Sequence, residues 1–193
     1  MKFPFFITVI IVIITSSSCK NAANKTDNTS IDTVHFFSIK DFFLSEVKDV
    51  QTTPYLMYQI IAKPNNSKDS TAFTKENFAT TAQQFIDCDI SNSSLKNNYK
   101  ESVFKDNSTQ SITLNYSTAN QELPIQNIDV LLDQRTNKVN RIFIRKTVDN
   151  KDSLITILYS WKAGKSFSII KSVVKKDDSK YDEQQFINWN GTN

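Results

Sequence analysis

QSITLNY, residues 110–116, is the stretch that decides the fold. Ile112, Leu114 and Tyr116 alternate with polar residues, which is the period of a β-strand with one buried face and one solvated face. The same period of two begins at residue 99 and continues to the end of the chain. It predicts further strands at residues 99–104, 125–132, 139–146, 153–161, 166–175 and 181–189. The short polar connections between them indicate an antiparallel meander.

Two amphipathic helices are predicted upstream of the meander. Ser38 can cap a helix over residues 39–49, in which Asp41 lies in the first turn and apolar residues recur at helical spacing. Thr74 can cap a second helix that carries Glu76 in its first turn. The apolar face of the second helix is formed by Phe78, Ala82, Phe85 and Ile86.

The segments around the helices complete the predicted fold. Residues 54–63 are apolar and β-rich, which indicates a strand that is buried on both faces or lies at a helix contact. Residues 70–73 are predicted to return as a short second strand. Residues 91–98 are rich in Asn and Ser and are predicted to form a turn. The expected fold class is α+β, mainly antiparallel β, with one curved meander sheet of about eight or nine strands covered by two amphipathic helices.

The chain begins with a segment typical of export. Residues 1–19 read MKFPFFITVIIVIITSSSC, with Lys2 before an apolar run that is too short to cross a bilayer core of about 30 Å. Small residues directly before Cys19 resemble the lipobox of bacterial lipoproteins, in which this cysteine is lipidated and the signal is removed. An ordinary secretory signal followed by an incidental cysteine is the alternative.

These features predict the organisation of the chain. We expect a signal peptide at residues 1–18, the lipidated Cys19 with a flexible tether over residues 19–33, and a single α+β domain at residues 34–193. The tether is polar and without period, which is typical of a linker.

The composition limits the chemistry that the chain can perform. It has two cysteines, Cys19 and Cys88, one histidine, His35, and two glycines. These counts exclude an internal disulfide scaffold if Cys19 is lipidated, a zinc site of several thiolates, and the glycine-rich loops that bind phosphates. We therefore predict no catalytic residue, no metal, no cofactor and no nucleic-acid partner.

Basic residues are concentrated in one part of the chain. Residues 135–176 contain eleven Lys or Arg against two Asp, which suggests an electrostatic surface. Arg141 and Arg145 flank Phe143 on one face of a predicted strand. The candidate patch for an anionic partner consists of Arg141, Phe143, Arg145, Lys171 and Lys175. A solvated outer face of the sheet is the alternative interpretation.

Three further features have a functional interpretation and a structural one. Asp87 and Asp89 could contribute oxygen ligands to Ca²⁺, or could be a polar helix end. Trp161 and Trp189 could stack on sugar rings, or could belong to the core. His35 could be a general base, but no nucleophile motif accompanies it.

Two segments carry a family resemblance. With the lipobox, FFSIKDFF at residues 36–43 and FIDCDI at residues 85–90 make the chain similar to a group of uncharacterised Bacteroidota outer-membrane lipoproteins. The resemblance implies the order helix, small β segment, helix and β-meander, and an outer-membrane location. Residues 20–23, KNAA, lack the acid-rich cluster that resembles a surface-export tag in that lineage, so we expect the domain to face the periplasm. Three Asp-Ser/Thr motifs, which begin at residues 32, 69 and 152, also resemble the acceptor of protein O-glycosylation in that lineage.

The expected function is that of a lipid-anchored envelope protein. We expect a monomeric, non-catalytic module that contacts the membrane through Cys19 and binds a lipid-like ligand, a glycan or an envelope protein. The alternative is a carboxylate-dependent hydrolase or glycan-processing enzyme, which would need two carboxyl groups facing each other in a cleft. A dry interior lined by Phe, Ile and Leu would favour a lipid-like ligand, whereas a filled interior with a basic outer face would favour a glycan or a protein.

Overall fold

The computed structural model describes residues 36–62 and 67–190, which fall within one compact unit. The predicted signal peptide, the Cys19 lipidation site, the tether and His35 lie outside the described residues. Their assignments therefore stay predictions.

Both predicted helices begin at the predicted caps. Helix α1 spans Ile39–Thr52, and the Oγ atom of Ser38 accepts a hydrogen bond of 3.2 Å from the backbone N–H of Asp41. Helix α2 spans Lys75–Ile86, and Oγ1 of Thr74 accepts a hydrogen bond of 3.2 Å from the backbone N–H of Asn77. Each cap thus satisfies a backbone donor that a helix N-terminus leaves without an internal partner.

Nine strands form one open antiparallel sheet in the described part of the chain, which confirms the predicted fold class. In chain order they are β1 Tyr58–Ala62, β2 Lys68–Ala72, β3 Lys100–Asp106, β4 Ser111–Ser117, β5 Ile125–Asp133, β6 Val139–Asn150, β7 Ser153–Lys162, β8 Ser166–Lys175 and β9 Lys180–Asn188. Across the sheet they lie in the order β2-β1-β9-β8-β7-β6-β5-β4-β3. Strands β3 to β9 are the meander that the period of two predicted.

The first hairpin joins the sheet beside the last strand. Strand β1 pairs antiparallel with β9, so that Tyr58 lies opposite Asn188 and Ala62 opposite Gln184. On its other side β1 pairs with β2, which forms one edge of the sheet.

Two local predictions differ from the structure. The strand expected at residues 54–63 is shorter, because the chain enters the sheet only at Tyr58, and Leu56 is 94% exposed. All five residues of β1 are half-buried rather than buried, since only the exposed edge strand β2 lies beyond β1. The expected turn at residues 91–98 contains a one-turn helix, α3, at Ser93–Lys96, capped by Asn92.

The strand registers define two faces of the sheet. On the helix-bearing face, Ile142 of β6, Trp161 of β7 and Phe167 of β8 lie side by side and are buried. On the reverse face, Arg141 lies beside Lys162. Neighbouring residues of a strand point to opposite faces, so these registers assign every strand residue to one face.

Aromatic rings fill the space between the helices and the sheet. Trp161 is stacked on Phe167 with ring centroids 4.8 Å apart. Phe43 of α1 lies 5.0 Å from Trp161, and Phe85 of α2 lies 4.9 Å from it. Phe78 of α2 lies 5.8 Å from the same ring. The helices therefore pack on the sheet through aromatic rings that are fully buried.

One carboxylate joins α1 to the turn between β7 and β8. Oε2 of Glu46 accepts hydrogen bonds from Nε1 of Trp161 at 3.0 Å and from the backbone N–H of Gly164 at 2.7 Å. Gly164 has φ 63°, a left-handed conformation that glycine adopts without strain. Glu46 thus satisfies a buried indole donor and fixes the turn at the same time.

We expect Phe85→Ala to destabilise the domain by about 3–5 kcal/mol, because it removes a ring that contacts both α1 and the sheet. Leu56→Ala is the control and should change the free energy of unfolding by less than about 0.5 kcal/mol, since Leu56 is 94% exposed. Urea denaturation followed by tryptophan fluorescence measures both values. Equal effects of the two substitutions would contradict the packing described here.

Candidate functional site

A groove of about 390 Å³ lies on the helix-bearing face, between α2 and the strands β8, β9 and β1. Its volume falls within the range of known small-molecule sites. The groove is lined chiefly by Ile61, Gln84, Ile169, Lys171, Glu183 and Gln185. It exists because α2 covers the aromatic core while the sheet continues past the helix into β9 and β1.

The groove combines apolar and polar groups. Ile61 and Ile169 provide hydrocarbon surface, and Gln84 faces them from α2. Nε2 of Gln185 donates a hydrogen bond of 3.1 Å to Oε1 of Gln59, which orients the amide group of Gln185. Side-chain amides can both donate and accept hydrogen bonds, so this lining suits a ligand that carries hydroxyl or amide groups.

An ion pair crosses one end of the groove. Nζ of Lys171 lies 3.7 Å from Oε2 of Glu183, and the two side chains are 38% and 52% exposed. A pair with this exposure contributes about 0–1 kcal/mol to stability. Both charged groups can therefore turn towards a ligand at little cost.

The structure places the residues of the predicted anionic patch on two different faces. Arg141, Phe143 and Arg145 lie on the reverse face, with the guanidinium of Arg141 5.5 Å from the ring centroid of Phe143. Lys171 and Lys175 lie on the helix-bearing face, because they share the parity of the buried Ile169. The five residues do not form one surface.

The reverse-face part of the patch has a neighbour that the sequence analysis did not select. Lys162 of β7 lies directly opposite Arg141, which places two like charges side by side on one face. Asp129 lies opposite Phe143, and a depression of about 200 Å³ is lined by Asn127, Asp129, Phe143, Arg145 and Leu158 together with parts of Ile144 and Tyr159. This surface can attract an anion at its Arg141 end, whereas Asp129 opposes anion binding at the depression.

The Asp87-Cys88-Asp89 segment lies at the end of α2. Asp87 accepts a hydrogen bond of 2.7 Å from Gln83, and Asp89 accepts one of 2.6 Å from Ser91. Within residues 36–62 and 67–190, no group of three or more His, Cys, Asp or Glu is placed to hold a metal ion.

The two tryptophans considered for sugar stacking are buried. Trp161 is 0% exposed and Trp189 is 2% exposed. Both rings contact Phe78 of α2, at 5.8 Å and 5.0 Å between centroids. They belong to the core and present no ring face to a ligand.

Four carboxyl groups of the described residues have a lowered pKa. The pKa of Asp106 falls to about 2 because Ser108 and Thr109 donate hydrogen bonds to it. Hydrogen bonds within local turns or caps also lower the pKa of Glu76, Asp133 and Asp177. A carboxyl group that serves as a general acid needs the opposite shift.

Together, the fold and the groove define a class: a small α+β domain with an open antiparallel sheet and a ligand-sized groove beside its second helix. Comparison of the chain with protein-family models, with curated proteins and with solved structures gave no match in any of the three. Among the described residues, no helix has both the length and the apolar composition needed to cross a membrane.

Sequence reasoning missed most of the groove. Of the main lining residues of the groove, only Lys171 was a candidate site residue in the sequence analysis, where it was assigned to the patch for an anionic partner. Gln84 lies on the polar side of an amphipathic helix, and Gln185 lies in a strand with no motif. No local signal marks either residue, because the groove depends on the pairing of β1 with β9.

Burial controls the chemistry of Cys88. Its thiol is buried, its Sγ donates to the carbonyl oxygen of Gln84 at 3.2 Å, and burial raises the thiol pKa from 9.0 to about 12. The neutral thiol is favoured in the folded state. The resulting contribution to stability is present below about pH 9 and is lost as the pH rises from 9 towards 12.

We expect Cys88 to resist thiol reagents in the folded domain, because the thiolate is the reactive form. In a Cys19→Ala chain, in which Cys88 is the remaining thiol, Ellman's reagent at pH 8 should react at least about 100-fold faster in urea than under native conditions. Absorbance at 412 nm follows the reaction. A native rate equal to the rate in urea would show that the thiol is accessible.

Proposed function

We propose that this chain is a lipid-anchored protein of a bacterial cell envelope whose domain binds a short glycan without catalysing a reaction. Cys19 attaches the chain to the outer membrane, and the domain faces the periplasm. The groove beside α2 is the binding site. The observation that carries the proposal is its mixed lining, which includes two isoleucines, the amides of Gln84 and Gln185, and an ion pair around a volume of about 390 Å³.

The filled interior supports a glycan rather than a lipid ligand. A lipid carrier needs apolar space between its helices and its sheet, but here Phe43, Phe78 and Phe85 pack directly on the sheet. The apolar surface within the groove is limited to short aliphatic groups, which match the methyl groups and ring C–H groups of a sugar better than an acyl chain.

The lining favours sugars that carry an acetamido group. An acetamido group has one N–H donor and one C=O acceptor, which is the complement of a glutamine amide. Gln84 and Gln185 approach the groove from opposite sides, one from the helix and one from the sheet. The Lys171–Glu183 pair adds a charged donor and a charged acceptor for hydroxyl groups.

The chemical groups present also support binding over hydrolysis. The charged pair in the groove joins a lysine to a glutamate, so it is not the pair of carboxyl groups that glycoside hydrolysis requires.

We expect the domain to bind di-N-acetylchitobiose and to bind cellobiose, which lacks the acetamido groups, at least about tenfold more weakly. Gln84→Ala should reduce the affinity for the acetylated sugar by a similar factor, through loss of a hydrogen bond. Gln83→Ala, the neighbouring glutamine outside the groove lining, is the matched control. Isothermal titration calorimetry measures each Kd, and equal affinities for the two sugars would overturn the assignment.

We expect cells that express the chain to incorporate labelled palmitate into it, and a Cys19→Ala variant to remain unlabelled. The physical reason is that stable anchoring needs more than one acyl chain, and the lipobox cysteine is the site at which they would be attached. Autoradiography of the immunoprecipitated protein gives the result. An unlabelled parent chain recovered in the cytosol would contradict the anchor, independently of the groove.

A further inference from the structure

We propose that strand β3 is a dimerisation edge, through which two copies of this chain join antiparallel to form one continuous sheet. This inference goes beyond glycan binding and does not depend on it. It departs from the monomer expected from the sequence, because it uses a strand edge that only the sheet topology reveals.

Strand β3 has the properties of a strand that can accept another strand. It lies at the end of the sheet, opposite the edge formed by β2, and pairs with β4 over seven residues without a register shift. It contains no proline and no bulge, which are two of the devices that usually protect an edge. Val103 and Phe104 at its centre are 62% and 66% exposed, one on each face.

The charges of β3 are complementary to themselves in one register. A two-fold axis perpendicular to the sheet keeps each face on its own side, so only residues of the same face can lie opposite each other. With the axis at Val103, Lys100 of one copy faces Asp106 of the other, and Glu101 faces Lys105. Every charged residue of the strand then lies opposite a residue of the other sign.

Other registers lose these contacts. With the axis at Ser102, Lys100 faces Phe104 and Glu101 faces Val103, while Lys105 and Asp106 extend past the paired region. With the axis at Phe104, Lys105 faces Val103. The charge pattern therefore selects the register that also pairs all seven residues and brings the two Val103 side chains together.

The opposite edge lacks this pattern. Strand β2 has five residues, and antiparallel pairing of two copies about Ser70 would place Lys68 opposite Ala72 and Asp69 opposite Thr71. No opposite charges would meet. We therefore assign the interface to β3 and use β2 as the control.

The first experiment exchanges charges between the two copies, with the full chain in detergent and sedimentation velocity as the readout. The parent should form dimers. Lys105→Glu and Glu101→Lys each place like charges at two contacts of the dimer, and each should raise the dimer Kd about tenfold. A mixture of the two variants restores opposite charges and should associate as tightly as the parent.

The matched control is Lys68→Glu on β2, which should leave the dimer Kd unchanged. The proposal is overturned if the parent remains a monomer at about 100 µM, a concentration at which a dimer with a micromolar Kd is mostly associated. It is also overturned if Lys68→Glu weakens association as much as Lys105→Glu.

The second experiment tests the register with cysteine variants. Its result does not depend on whether the Glu101→Lys variant of the first experiment folds. In Val103→Cys the two introduced thiols lie opposite each other, within about 4.5–5.5 Å at Cβ, and should form an intermolecular disulfide under mild oxidation. In Lys105→Cys the two copies of the cysteine are roughly 13 Å apart and should not. Non-reducing electrophoresis separates the cross-linked dimer from the monomer. The proposed register is contradicted if both variants cross-link equally or if neither variant cross-links.

Discussion

The stacking of Trp161 on Phe167 is the contact on which the rest of the domain depends. The two rings are 4.8 Å apart on adjacent strands, and Phe43 of α1 and Phe85 of α2 both pack against the ring of Trp161. The indole N–H of Trp161 is satisfied by Glu46, so the ring is buried without an unpaired donor. Both helices pack against the indole ring of Trp161, which fixes their positions on the sheet. The position of α2 in turn determines which part of the sheet remains uncovered.

The groove is a consequence of that uncovered region. The stacked rings Trp161 and Phe167 come from β7 and β8, and the groove opens where Gln84 of α2 faces β8, β9 and β1. Gln84 borders the helix side of the gap and Gln185 the sheet side. Because the aromatic rings already fill the interior, a ligand in the groove contacts amide groups and short aliphatic side chains. The packing of the core therefore determines which chemical groups line the site.

Most of the fold follows from local sequence signals, and most of the site does not. The alternation in residues 110–116 and the caps Ser38 and Thr74 determine elements that the structure reproduces. The pairing of β1 with β9 has no local signature, since it joins residues far apart in the chain. The sequence of β8 also does not show which of its faces is buried. Ile169 and Val173 lie on one face, and Ile170 and Val174 lie on the other. The face on which Lys171 lies is therefore decided by the pairing of β8 with neighbouring strands.

The same β1–β9 pairing orders events during folding. The hairpin β1–β2 precedes the meander in the chain, but the strand that attaches it to the sheet is the final strand of the meander, β9. An isolated two-stranded hairpin is only marginally stable in water. A chain interrupted before β9 would therefore lack the hairpin's attachment strand and one wall of the groove. The docking of the first hairpin thus depends on the completion of the whole meander.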